Sequence, residues 1–330
     1  MKKVFLSVIT IMLLLTGCGK KTSESSLKEF SKLVNNSESY YLEGDLKLLS
    51  NSEEYEYDVK VYFKKGDYYK VSLFNKGSET EQIILKNDDG VYVVTPSINK
   101  SFKFQSEWPN NSSQSYILET LLSDILDDDD RIYNTKDDGY EFIVDVNYPN
   151  NKTLESQKIS FNSKNLPFKV EVMNNDGNTV ITFNISKIDM NAKLTEDIFK
   201  LENNISDNVS DTKETFSEIE SVMYPTYLPL NTSFSNQETI TGLDNERVIL
   251  TFTGEKSFVM VEEAKKIPKS MEVVSVYGDI AMIDDTLGVI TDTSVMWNRG
   301  NTEYYVSSSN LGASELLTVA SSTRKVALTK

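Results

Sequence analysis

The chain has no histidine and a single cysteine, Cys18. A Ser-His-Asp or Cys-His nucleophile needs an imidazole to take the proton, so neither can be assembled here. Zinc sites of the His/Cys type fall with them. One thiol cannot close an internal disulfide, so the cysteine count says nothing of redox compartment. Arginine is scarce too, present only as Arg131, Arg247, Arg299 and Arg324. With a formal net charge of −16, the chain lacks the clustered cations that nucleic-acid phosphates require. The same balance disfavours electrostatic docking on anionic lipid. The chemistry left over is carboxylate pairs, a Ser-Lys arrangement or oxygen-only metal binding.

What is present suffices for ordinary cores. The 330 residues are 39% hydrophobic and 10% aromatic, well above a disordered composition. Length alone suggests about two domains. Met1-Lys2-Lys3 is a charged start, and Val4 to Leu15 an apolar run of about twelve residues, the form of a signal peptide. Such a run is too short to span a bilayer as a mature helix. It ends in Leu15-Thr16-Gly17-Cys18, which matches the bacterial lipobox. Residues 1–17 are therefore expected to be removed, and Cys18 to become the mature N-terminus, its thiol bearing a diacylglyceryl group. Two or three acyl chains anchor stably where one does not. The mature protein is expected on the outer face of the cytoplasmic membrane, joined to it through the lipid on Cys18. Residues 18–26 read as a polar, unstructured tether.

From Leu27 the pattern is helical, with Leu27, Phe30, Leu33 and Val34 on one stripe. About eleven β-prone runs follow, punctuated by Asn87-Asp88-Asp89-Gly90, Asp137-Asp138-Gly139 and Asn175-Asp176-Gly177. A second amphipathic stripe, Leu118, Leu121, Leu122 and Ile125, interrupts them. Ile83-Ile84-Leu85, Val91-Tyr92-Val93-Val94 and Phe102/Phe104 predict a three-stranded meander with one apolar and one wet face. The expected fold class is mainly β (α+β): a curved, unclosed antiparallel sheet whose concave face two helices cover.

The run Asn99 to Pro109, N-K-S-F-K-F-Q-S-E-W-P, resembles bacterial sporulation lipoproteins whose domain is similar to LolA, the outer-membrane lipoprotein carrier. The resemblance covers residues 27–201, and Asp197-Ile198-Phe199 also fits it. It implies a space between sheet and helices that receives acyl chains in the carrier. It also implies a setting in spore formation or germination, between the two forespore membranes. A protein partner such as a cortex-modifying amidase is implied, with no cofactor. Residues 40–75 contain no arginine, so the carrier's groove-closing arginine has no counterpart. The fold therefore carries over further than the activity.

Residues 202–218 read as a polar linker, and residues 219–330 as a smaller α+β domain. There Val295-Met296-Trp297, Tyr304-Tyr305-Val306 and the following Ser-Glu-Leu-Leu helix resemble a C-terminal domain of unknown function. That domain recurs in Firmicute membrane-associated and sporulation proteins.

Chemical constellations are thin. Asp127-Asp128-Asp129-Asp130 lacks the spaced loop of a calcium site and reads as a solvated helix end. Glu107, Asp145 and Glu171 have no spacing that selects a pair. The candidate groove or rim residues are Phe30, Leu33, Phe102, Phe104, Trp108, Leu121 and Leu122, with no catalytic or metal-binding residue among them. Because these side chains are large and apolar, the groove is expected to be mostly filled. Partner binding is then favoured over the alternative, carriage of a lipid or a lipoprotein's acyl chain.

Overall fold

The computed structural model describes residues 21–205, 218–243 and 245–325. The lipobox with Cys18, and residues 206–217 of the expected linker, lie outside the described residues.

Helix α1 (Ser23–Asn35) opens the described chain. The Thr22 hydroxyl accepts from the Ser25 amide while the Ser25 hydroxyl accepts from the Thr22 amide, a reciprocal cap. Glu24 near the start and Lys32 near the end suit the helix dipole. The helix therefore begins inside the stretch expected to be a bare tether. The cap supplies the start signal, and buried Ser26, bonded to the Tyr133 hydroxyl, ties that first turn down.

Strands β1 (Ser39–Ser50), β2 (Glu53–Lys64), β3 (Tyr68–Asn75), β4 (Thr80–Asn87), β5 (Gly90–Thr95) and β6 (Lys100–Phe104) form a meander. Helix α2 (Leu118–Asp127) precedes a second one: β7 (Ile132–Lys136), β8 (Gly139–Asp145), β9 (Leu154–Asn162), β10 (Pro167–Asn174) and β11 (Thr179–Asp189). Strand β11 returns to pair with β1, so the meanders fuse into one unclosed antiparallel sheet. Twist accumulates across so many strands and curls them. A register shift at Glu43/Gly44 assists, and only glycine fits there: a Cβ on Gly44 would lie 2.2 Å from the Asn184 carbonyl oxygen. The concave face and the two helices share one aromatic-rich core.

The central meander does not have the expected wet face. Ile84, Val91 and Val93 face the concave core, while Ile83, Leu85, Tyr92 and Val94 are buried on the other side. Phe199, in a 3-10 turn of Glu196–Phe199, covers that side. Unbroken runs such as Ile83-Ile84-Leu85 are the pattern of strands buried on both faces.

After residue 218 come β12 (Met223–Pro225), β13 (Thr232–Thr241), β14 (Glu246–Gly254), β15 (Phe258–Ala264), β16 (Glu272–Val276), β17 (Asp279–Ile283), β18 (Thr286–Ile290), β19 (Ser294–Arg299) and β20 (Thr302–Ser307). Helix α3 (Ala313–Ser321) and the short β21 (Thr323–Lys325) close the described chain. Six of these strands and β13 make a seven-stranded sheet ordered β13-β14-β15-β20-β19-β18-β17. Strand β16 leaves it and pairs in parallel with β6, as a twelfth strand of the large sheet.

Strands β17 to β19 alternate between two cores. Ala281, Ile283, Ile290, Val295 and Trp297 pack with Leu316, Val319 and Ala320 of α3. Ile280, Met282, Leu287, Val289 and Met296 point the other way, into the concave core of the large sheet. The second half is thus a third cover for that face, beside the two helices.

Candidate functional site

The seam between the halves begins at the stretch Asn99 to Pro109. Asn99 takes a left-handed turn conformation (φ 48°) after the 3-10 turn Pro96–Ile98. Its side-chain Nδ2 donates to the Pro268 carbonyl (3.0 Å), and its backbone carbonyl accepts from the Glu272 amide (2.8 Å). Those bonds set the register of β16 on β6. Lys100, almost wholly buried, is ion-paired with Glu303 of β20, which Lys265 also holds at 3.0 Å.

A second latch lies across the sheet. Gln82 of β4 grips the backbone of Leu287 at both ends: its Oε1 accepts from the amide (2.6 Å) and its Nε2 donates to the carbonyl (3.1 Å). Buried Asp284, in the β17–β18 turn, accepts from the Tyr55 hydroxyl (2.9 Å) and from Arg299 (3.3 Å), and Arg324 pairs with it at 2.8 Å. Three carboxylate partners satisfy the charge, which makes its burial tolerable.

From the Asp284 latch toward β1, the apolar surfaces do not quite meet. They leave a cavity of about 380 Å³. Leu46 and Leu48 of β1 and Trp108 form one wall, and Ile280, Met282 and Leu317 the other. Its rim is polar, with Ser50, Asn51, Ser112, Asn150 and Ser321 among the hydroxyl and amide groups. The charged residues lining it are Asp279 and Asp284, both acidic. Its volume falls in the range of small-ligand and side-chain pockets, about 300–1,000 Å³.

Trp108 is the one sequence candidate brought to this cavity. It is buried, with its ring edge-on to Tyr69 at 5.8 Å. Phe30, Phe102, Phe104, Leu121 and Leu122 lie in the concave core itself. Phe30 meets Phe161 edge-on at 4.9 Å, and Tyr140 stacks on Phe161 at 4.8 Å. Leu33 is half-buried beside a shallow recess with Met190 on the outer side of α1. Sequence reasoning missed Leu48, Asn111, Asp279, Ile280 and Met282. The signal was Asp279-Ile280-Ala281-Met282-Ile283, an unalternating apolar run too hydrophobic for a strand with one wet face.

Two half-buried carboxyls sit on α2. Burial pushes Glu119 up to about 7, against the opposing hydrogen bond from the Tyr40 hydroxyl at 2.7 Å. Burial likewise raises Asp124 to about 6, against bonds from Ser113 (2.9 Å) and Gln157 (2.6 Å). Each has its own neutral donors, so they act as fixed struts between helix and sheet. Glu171 is held on the outer face by Lys158 and Lys169 (both 2.7 Å). The acidic run ends α2 at Asp127, and Asp128 accepts from the Asp130 and Asp145 amides. Among the described residues no group of three acidic or thiol side chains is placed to hold a metal ion. No helix among them is long and apolar enough to cross a membrane.

An unclosed antiparallel sheet with helices in its concavity is the LolA-like α+β architecture, here with a second sheet docked onto it. The chain belongs to the family described as sporulation protein YdcC-like, whose model matches residues 1–199. It is 34% identical over 331 residues to sporulation protein YdcC of Bacillus subtilis (strain 168), covering 98% of each chain. Similar solved structures include the Pseudomonas aeruginosa MucA/MucB complex, 12% identical over 92% of this chain and 98% of that one, with a TM-score of 0.32. A LolA superfamily protein from Nitrosomonas europaea is 14% identical over 55% and 99%, with a TM-score of 0.30. The complex of the CwlD amidase from Clostridioides difficile with the GerS lipoprotein matches at 16% identity over 51% and 96%, with a TM-score of 0.24.

Proposed function

We propose that this protein is a lipid-anchored, non-enzymatic protein of the cell envelope that works in sporulation by docking a protein partner. Membership of the sporulation family supplies the process. The observation that carries the mode of action is the filled concave face: Phe30, Leu121 and Phe142 are 0% exposed and Phe161 1%. Side chains that would line an acyl groove are instead spent on each other, each gaining about 1.5–3 kcal/mol by burial. Opening a groove between helices and sheet would forfeit that packing. The junction, by contrast, offers a concave site with a polar rim, the form of a protein-docking surface.

The anchor is tested by fatty-acid labelling. The wild type is expected to incorporate label, and Cys18→Ala to remain an unlabelled precursor; label on Cys18→Ala would refute lipidation at that thiol. The mode of action is tested by native mass spectrometry of the membrane-extracted protein from sporulating cells. A stoichiometric protein partner, with a cortex amidase the first to look for, is the expected result.

A second reading, carriage of an acyl chain, is favoured by one feature: the apolar walls of the junction cavity. Stoichiometric lipid without a protein partner would decide for it.

A further inference from the structure

The chemistry of the junction cavity specifies what enters it. We infer that the partner docks there through an extended segment carrying a large apolar side chain next to a lysine or arginine. This rests on the partner-docking reading above and names its site and the partner's recognition element.

The apolar part follows from the walls. Leu48, Ile280, Met282 and Leu317 are only half-buried, and Leu49 at the rim is 45% exposed. One large side chain from a partner would cover them, in the way that interface anchors fill pockets. The cationic part follows from acceptors that have no donor. Asp279 has no lysine or arginine within ion-pair distance among the described residues. Its Oδ1 accepts only from the Asn111 amide at 3.1 Å. The Oδ1 of Asn111 is buried with no hydrogen-bond partner at all. Asp279 thus presents a carboxylate on the wall that calls for an N–H donor, and the buried Asn111 carbonyl beside it adds negative potential with no donor of its own. Asp284 does not compete for them, because Tyr55, Arg299 and Arg324 already hold it.

The same census argues against a lipid with an anionic head. No lysine or arginine lines the cavity, so a carboxylate or phosphate there would face the unpaired Asp279 with no cation on the wall to meet it. The serine and asparagine side chains of the rim suit the alternating N–H and C=O groups of a peptide backbone.

The test is selection of a phage-displayed peptide library on the detergent-extracted full chain, with melting temperatures confirming that each variant folds. Wild type should enrich peptides pairing Leu, Ile, Phe or Trp with an adjacent Lys or Arg. Asp279→Asn keeps the shape and removes the charge. It should erase the preference for the basic residue and weaken the selected peptides about tenfold, the worth of one charge-assisted hydrogen bond. Met282→Trp, which fills the cavity, should block them; Leu48→Phe is the second filling variant should Met282→Trp not fold.

Selection of peptides without a basic residue, binding unchanged in both variants, or no enrichment at all would overturn the inference. The native partner separates its failure from that of the broader reading. A partner retained equally by wild type and Met282→Trp leaves docking intact and moves it off this cavity. Stoichiometric lipid with no partner overturns both.

Discussion

The concave face of the large sheet is covered in two different ways, and the contrast explains why one part is core and the other a site. Toward β7–β9, α1 and α2 lie over it and aromatic rings interlock, Phe30 against Phe161 and Tyr140 against Phe161. Toward β1–β4, the covering element is a strand pair from the second half, fixed by polar latches at Gln82 and Asp284. A helix can rotate and slide until its stripe fills the available space. A strand pair held by its own sheet on one side and by hydrogen bonds on the other cannot, and the misfit remains as a cavity. Sealing by packing yields stability; sealing by latches leaves room for a ligand.

The largest effect should come from the packed end. Leu121→Ala removes a fully buried side chain of α2 and should cost about 2–5 kcal/mol, read from chemical denaturation. An unchanged melting temperature together with altered lipid binding would make that end a pocket after all. At the latched end, Asp284→Ala takes one carboxylate from Arg299 and Arg324, which keep Asp285 and Glu53, leaves the Tyr55 hydroxyl without its Asp284 bond, and should cost about 1–3 kcal/mol. The two losses should differ in extent. Hydrogen exchange should quicken in β17 and β18 for Asp284→Ala and leave α1 and β9 protected, whereas Leu121→Ala lowers protection throughout. Uniform loosening in both variants would erase the distinction.

A smaller effect is set by pH. Burial raises Glu119 to about 7, Asp124 to about 6 and, in the second half, Glu262 to about 8. Each is protonated in the fold at pH values where the unfolded chain has lost the proton. Stability is therefore full below about pH 4.5 for these groups and falls as pH rises through the folded values, by up to about 1.4 kcal/mol per group and pH unit. Melting temperature should decline between about pH 4.5 and 8, and Glu119→Gln should flatten the lower part of that slope. A slope unchanged by Glu119→Gln would mean that this carboxyl stays charged in the fold. The least change is expected from cutting the chain: a protease site inserted between residues 206 and 217 should yield two pieces that co-elute until denaturant is added. The β6–β16 pairing and the Lys100–Glu303 pair would hold them. Pieces that separate in plain buffer would show that the latches contribute little.

Much of this molecule was legible from local pattern alone. Alternation in Tyr140, Phe142 and Val144, the stripe through Leu118, Leu121 and Ile125, and the Asn-Asp-Asp-Gly turn each depend on neighbours a few residues away. They sufficed for the curved antiparallel sheet and its two helices. Strand β13 was not legible. Thr232 to Thr241 is mostly Ser, Thr, Asn and Gln without alternation, and it is a strand because β14 offers it a ladder. The early start of α1 was missed because Thr22 and Ser25 lie in a polar stretch that also reads as tether.

The candidate site lay furthest from reach. Sequence determined that most large apolar side chains, Trp108 among them, would be buried, since apolar surface is disfavoured in water wherever it lies. It also determined the absence of imidazole chemistry. Tertiary structure alone decided that Gln82 meets Leu287, that Asp284 gathers two arginines, and that Asp279 and Asn111 meet at a wall with no cation. Those pairs stand up to 205 residues apart in the chain, and no local period encodes a contact made only when two separately patterned surfaces dock.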